Sequence, residues 1–464
     1  MAGCHQIIKW RWVFVVMAHL AWFTNFCQRA NLSIAIVRMT NGAFNNSISG
    51  KSLTYEFTWS EIEQENFLAS FYYGYTISQV LGGYLTDKFG GKWIMAAILL
   101  VSSIATLLTP LLVRFRLEAF VAARVLIGVF QGMGFPSLVS MSSRWSALGE
   151  QALFTNLIVC GEQSGGLFIA IVGAYLAGSD ILGGWPSVFY MSGLVGIVVT
   201  IAWLVLVSNK PDQHPWITDS EKLLLSTTST ASNRHRRVPW LKMLTSAPAV
   251  VYILCFFCHA WLWITIFTNV SVYFKNVLRL SLLDNGIFTA LTLLSCLVMT
   301  NLAAPIFDRL QKQNRLSSTK MRKIAFVFLT LSSATLFFAA TFLHNSQVAL
   351  TVTFFCLACG LIETNDNNLV LYCINLTPNF CGVLSGIAMT LSCCAMFLQP
   401  LLVGYFTNHN PTKEQYRKVF AISMGMVAVS CVMFTVFASG ERQAWDVVDE
   451  DDDTQRLLPS NTVA

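Results

Sequence analysis

Residues 118–140 read EAFVAARVLIGVFQGMGFPSLVS. At about 1.5 Å of rise per residue this stretch is long enough to cross a bilayer, and apolar enough to sit there. Yet it carries Arg124 in its first half. A charge at mid-depth costs roughly 3 kcal/mol on insertion scales, so such residues usually line a wet pathway or a binding site. Gln131 follows two helical turns later and shares the face of Arg124, with Gly128 between them. Gly128, Gly132 and Gly134 admit a neighbouring helix or a ligand at close range. The stretch reads as one wall of a polar cavity inside a membrane protein. The competing reading is an arginine that snorkels to the nearer surface while the glycines only pack helices.

Composition agrees with the membrane setting. The chain has 464 residues, 55% hydrophobic and 12% charged, against about 25% charged in soluble domains. Thirteen cysteines lie mostly within or beside apolar runs and at no zinc-binding spacing, so they read as small buried hydrophobes. A net charge of +6 reflects loop lysines and arginines rather than a nucleic-acid surface. No phosphate-cradling loop, metal cluster or nucleophile–base set appears, so neither enzyme, metal nor cofactor is expected. The first apolar run, from Trp12, is too long for a cleavable signal and acts as a signal anchor.

Outward from this stretch, apolar runs of spanning length fall at about 12–38, 66–86, 92–113, 118–140, 152–177 and 187–208. Six more fall at about 249–274, 284–308, 322–343, 347–367, 380–405 and 418–438. The expected fold is an all-α membrane protein of twelve transmembrane helices in two six-helix bundles. Its division is a first bundle (1–208), a cytoplasmic linker (209–246), a second bundle (247–440) and an acidic cytoplasmic tail (441–464). Lysines and arginines favour the loops on the side of the termini by about two to one, which places both termini in the cytoplasm. A six–linker–six layout puts the substrate site between the bundles near mid-membrane. Within the linker, a short helix capped by Thr218 or Asp219 is expected, followed by a flexible basic segment.

Two peripheral signals stand out. Asn45-Asn46-Ser47, in a loop that faces away from the cytoplasm, marks Asn45 as a glycan site, whereas the matches at Asn31, Asn269 and Asn375 should stay bare. In the tail, Asp453 stands four residues before Leu457 and Leu458, an acidic dileucine pattern of the kind sorting adaptor proteins read. A disordered solvated tail is the alternative.

The loop after the second run, Gly83-Tyr-Leu-Thr-Asp87-Lys88-Phe-Gly90-Gly91-Lys92, resembles the signature loop of the major facilitator superfamily. An acid followed by bases at a helix end can pair with facing helix termini and latch the cytoplasmic side. Asp308-Arg309 is a degenerate counterpart in the second half. Together with NFCQRANLSIAIV (25–37), SFYYGYTISQVLGGYLTDKFGGKW (70–93), RVLIGVFQGMGFP (124–136), GWPSVFY (184–190), VPWLKMLTS (238–246) and SGERQAW (439–445), the chain resembles the anion–cation symporter family of solute carriers from about residue 10 to 445. That family includes sialin, the vesicular glutamate and nucleotide transporters, and the sodium-phosphate cotransporter relatives. The resemblance implies transport of a small organic or inorganic anion, driven by protons, sodium or membrane potential, in a lysosomal, vesicular or plasma membrane. It also implies that Arg124 meets the substrate's carboxylate and that Arg29 occupies a first-span basic position, while His259 stands where the glutamate transporters have an arginine.

The departures from the family are informative. Where relatives commonly place a fourth-span glutamate, Ile127 and Gln131 cannot titrate, and Asn375 replaces the tenth-span aspartate. Other acids lie at depth, namely Glu162, Glu363 and Asp366, the last two on one face. With Arg29 and Arg124 they make five ionisable groups, whose exposure to lipid would cost roughly 15 kcal/mol. They must pair, be protonated or face water. A buried carboxyl is a natural proton carrier, so Glu162 or the Glu363/Asp366 pair are the coupling candidates, against a purely structural salt bridge. Arg29 lies about 25 Å along its helix from Trp12, at a depth similar to Arg124, and two arginines there can grip one anion. His259 reads as a packed histidine or a ligand contact, and Tyr72, Tyr73 and Tyr75 as packing or as a phenol that holds an anion. Gln131 completes the candidate substrate set. A transport-inactive sensor or scaffold is the reading from another class.

Overall fold

The structure, a computed structural model, describes residues 9–40, 56–147, 150–228, 238–276, 282–313, 317–344, 347–407 and 413–446. Asn45 and the Asp453, Leu457, Leu458 pattern lie outside them. Long runs of apolar residues, with few chain-breaking residues inside them, form helices almost throughout. In order these are α1 (Trp10–Met39), α2 (Glu61–Phe89), α3 (Gly91–Phe115), α4 (Leu117–Gly132), α5 (Gly134–Trp145), α6 (Gln151–Phe168), α7 (Ala174–Gly178), α8 (Pro186–Leu206), α9 (Asp219–Thr228), α10 (Trp240–Thr245), α11 (Ala247–Asn276), α12 (Leu282–Lys312), α13 (Ser318–Ala340), α14 (Val348–Leu376), α15 (Cys381–Thr407) and α16 (Lys413–Phe437). The fourth crossing is α4 and α5 end to end, and the fifth is α6 and α7 joined by a π-helical turn, Ile169–Gly173. Twelve crossings result among the described residues. Ten are apolar enough by composition to span a membrane. α1 and α2 have the length, but their interiors carry the polar residues that the site uses.

Helices pair into two similar sets. In the first, α1 packs on α6 and α8, α3 on α8, and α2 on α4. In the second, α11 packs on α15 and α16, α14 on α12 and α13, and α13 on α16. The sets meet along two seams, α2 and α5 against α15, and α6 against α12 and α14. α2 approaches α4 so closely that a Cβ on Gly128 would lie 2.0 Å from the Phe71 carbonyl oxygen. Gly128 and Gly132 therefore serve a helix contact. On the seam, a Cβ on Gly83 would fall 2.3 Å from the Gly382 carbonyl oxygen, so only glycine permits this crossing of α2 and α15.

Residues 9–11 and 439–446 lie at one end of the molecule. There the linker folds onto the first set: Glu221 of α9 accepts from the Trp10 and Arg11 amides, 3.1 Å each, at the start of α1. Thr218 caps α9 by accepting from the Glu221 amide at 3.4 Å. Trp10, Trp145 and Trp216 surround His214, whose burial lowers its pKa below the usual range. Residues 439–446 dock at the same end. Asp446, grouped by composition with the acidic tail, is fully buried. It accepts from Thr377 Oγ1 (2.7 Å), the Asn379 amide (3.2 Å), Asn379 Nδ2 (3.0 Å) and Arg442 Nε (2.5 Å). A carboxylate with four donors is satisfied without water, which composition alone does not reveal.

Candidate functional site

The terminal end of the molecule is closed along both seams. Asp87, at the end of α2, accepts from Ser140 at 2.8 Å and faces Arg144 at 3.6 Å. Close by, Gly382 opens α15 against Pro136 and Ser140. Ser143 donates to the Pro378 carbonyl at 3.5 Å. At the other seam Asp308 accepts from the Ala152 and Leu153 amides at 3.1 and 3.0 Å, a carboxylate on the exposed donors of the α6 N-terminus. Of the bases in the loop, Lys88 is exposed and lies over its neighbours Tyr84 and Phe89. The Lys92 amide donates to Asn209 at 2.8 Å. Gly90 takes φ +92°, the left-handed region that lets α2 turn into α3.

Deeper in, a small pocket is lined by Trp22, Asn25, Phe26 and Arg29 of α1, Tyr75 of α2 and Gln131 of α4. Cys393 of α15 packs with Phe71 and Tyr75 beside it. The spacing of the four α1 residues (22, 25, 26, 29) is that of one helical face. Arg29 lies over Phe26 (4.8 Å), Tyr75 (5.3 Å) and Phe71 (5.7 Å), and pairs with Glu162 of α6 at 3.4 Å. An aromatic cage holds a guanidinium by its faces and leaves its in-plane donors directed outward. Gln131 Nε2 donates to Gln28 at 3.4 Å. A second pocket shares Trp22 and is lined chiefly by apolar residues of α5, α6 and α14.

Arg124 is buried directly behind this pocket and does not line it. Its Nη1 donates to the Gln28 carbonyl (3.4 Å) and its Nη2 to the Arg29 carbonyl (3.2 Å), while its face lies 5.7 Å over Phe71. The guanidinium neither snorkels nor stands open; it grips the backbone of α1 where Arg29 projects. Tyr72 is part-exposed and lies edge-on to Phe71 and Tyr75. Trp22, Asn25 and Phe26 escaped the sequence reading because one polar and two aromatic residues on an apolar helix look like packing until a void appears beside them.

The remaining ionisable groups lie along the seam. His259 of α11 faces Asp366 of α14 at 3.5 Å and contacts Asn365 at 3.4 Å. Glu363 accepts from Gln163 of α6, across the seam, and from Trp263 of α11 at 2.9 Å. Asn156 of α6 joins Asn301 of α12 at 3.0 Å and Asn367 of α14 at 2.8 Å. Among the described residues no cluster suits a metal ion.

A sequence profile described as Major Facilitator Superfamily matches residues 30–400. The chain belongs to the major facilitator superfamily. This facilitator protein superposes on the proton:xylose symporter XylE with a TM-score of 0.70 at 15% identity, covering 93% of this chain and 97% of that one. It superposes on a bacterial homologue of the iron transporter ferroportin, in an outward-facing state, at 0.66 and 14%, covering 93% and 99%. These likenesses concern the fold. In sequence the facilitator is 28% identical to sialin of Ovis aries over 95% of this chain and 91% of that protein. It is 27% identical to vesicular glutamate transporter 2 of Homo sapiens over 94% and 75%. An uncharacterized transporter of Caenorhabditis elegans is 29% identical over 90% and 89%. The facilitator is thus a multi-pass membrane protein and a secondary transporter, not an enzyme.

Proposed function

We propose that the protein carries a carboxylate-bearing organic anion across its membrane by alternating access, with Arg29 as the cation that receives it. The observation that supports this most is Arg29 itself: a caged guanidinium on the wall of a central pocket, with Glu162 as a counter-charge that an arriving carboxylate can replace. Arg124 sets the position of the α1 backbone from behind. The names of its relatives, sialin and the vesicular glutamate transporters, favour an organic acid over inorganic phosphate. The excess of basic loops on the terminal side favours cytoplasmic termini. The pocket then faces the exoplasmic or lumenal side while Asp87 and Asp308 hold the cytoplasmic side shut. The tail dileucine favours a lysosomal or vesicular address.

Coupling falls to the seam acids. Glu162 has Arg29 and Asp366 has His259, whereas Glu363 has only the neutral donors Gln163 and Trp263. A carboxyl without a cation is the one most readily neutralised by a proton. We therefore assign the proton to Glu363. The test is uptake of labelled carboxylates into proteoliposomes with pH, sodium and voltage set separately. Uptake should persist when choline replaces sodium, vanish in Arg29→Ala, and lose its response to a pH gradient in Glu363→Gln. Sodium-dependent phosphate uptake would replace this reading with phosphate cotransport, and no flux of any anion would point to a sensor or scaffold.

A further inference from the structure

Asn25 stands one helical turn before Arg29 on the same face of α1, and both line the pocket. Its side chain is 4% exposed, yet neither its Nδ2 nor its Oδ1 has a hydrogen-bond partner. A buried carboxamide left without partners loses the hydration it would have in water, and nothing in the protein returns it. Its neighbours in the pocket differ: Gln131 is bonded to Gln28, and Arg29 to Glu162. The Trp22 and Phe26 rings stand on either side of it in sequence, and both line the pocket. Gly134 opposite would, with a Cβ, sit 3.0 Å from Trp22 and 3.6 Å from Asn25 Nδ2. A side chain there would crowd both residues.

Building on the anion-transport reading, we infer that Asn25 is a specificity-determining residue, and that the substrate is an organic acid bearing a hydroxyl or amide group close to its carboxylate. The carboxylate meets Arg29, and the second group meets Asn25, which offers both a donor and an acceptor. One turn of helix separates the two Cα atoms by about 6 Å of rise, so convergent side chains suit polar groups a few bonds apart on one ligand. A site built to hydrogen-bond such a group rejects the analogue that lacks it, because the site's own polar atoms are then left unpaired.

The test is ligand-induced thermal stabilisation of the purified full-length protein by two matched pairs: gluconate with hexanoate, and N-acetylglutamate with glutarate. In the unmodified protein the polar member of at least one pair should bind at least tenfold more tightly than its stripped analogue. Asn25→Leu should reduce that preference to within twofold while retaining the analogue's binding, and Arg29→Ala should remove binding of both members. The unliganded Asn25→Leu protein should melt at or above the unmodified temperature, since an unpaired buried polar group is replaced by an apolar one. A structural role for Asn25 would lower it. Should Asn25→Leu fail to fold, Asn25→Ala supplies the same comparison. Equal binding of both members of each pair, or a preference that survives both substitutions, overturns the inference and leaves anion transport standing. No binding of any of the four acids overturns it along with the carboxylate reading.

Discussion

Two arginines of one central region carry different duties, and chemistry separates them. Arg29 presents its guanidinium to the pocket, while Arg124 spends two donors on the carbonyls of Gln28 and Arg29. Lysine keeps the charge in either place but loses the planar fork. Arg124→Lys should therefore lower stability by about 1–3 kcal/mol, the range for a lost buried charged hydrogen bond, and change the substrate KM less than threefold. Arg29→Lys should do the reverse, raising KM at least tenfold with little change in melting temperature. Unfolding in detergent and uptake by the same preparations give both readings. Arg124 was conspicuous in the sequence because a charge in an apolar run demands an explanation. What that charge touched depended on how α1 packs against α4, which no local pattern encodes.

At the level of helices, the α2–α15 crossing and the contacts of Glu56 make separate predictions. Gly83 lies against Gly382, so Gly83→Val must push the two helices apart where Asp87 and Ser140 close the terminal side. The protein should insert and bind substrate, but transport should fall at least tenfold, and Ser140→Cys should label faster from the terminal side. Glu56 joins the start of α2 to the ends of α3 and α8 by a bidentate contact with Arg114 (2.6 and 3.1 Å) and a bond from Trp185 (3.0 Å). The Arg114 hydrogen bond, chiefly, holds the Glu56 pKa below its ordinary 4.5. A depressed carboxylate contributes stability above its unfolded pKa and loses it as pH falls through the folded one. Melting temperature should thus decline more steeply below about pH 4.5 in the unmodified protein than in Glu56→Gln. The group is largely solvated, so the difference should be small.

Taken whole, the molecule is two helix sets whose closed end is tied together by parts of the chain outside the crossings. The twelve apolar runs, the linker helix behind Thr218 and the loop acid Asp87 were legible in the sequence, since each is a local pattern with a local cause. The pocket wall at Trp22, Asn25 and Phe26 was not, and neither was the burial of Asp446, because both arise from residues distant in sequence. Asp446→Ala removes the acceptor of Thr377, Asn379 and Arg442 at once. Breaking a buried ion pair costs about 3–5 kcal/mol, and Arg442 is one-third exposed, so about 2 kcal/mol is expected. Trypsin should then cut after Arg442 in the native protein, whereas the unmodified protein should resist.

That buried aspartate also sets a leash. Leu458 lies only twelve positions beyond Asp446, and a chain reaches at most about 3.5 Å per residue. A partner that took hold of the two leucines would therefore work within roughly 40 Å of the docked segment, close to the closed ends of the helices. Were the pair read as the sequence suggests, its reader and the transport cycle would compete for the same neighbourhood.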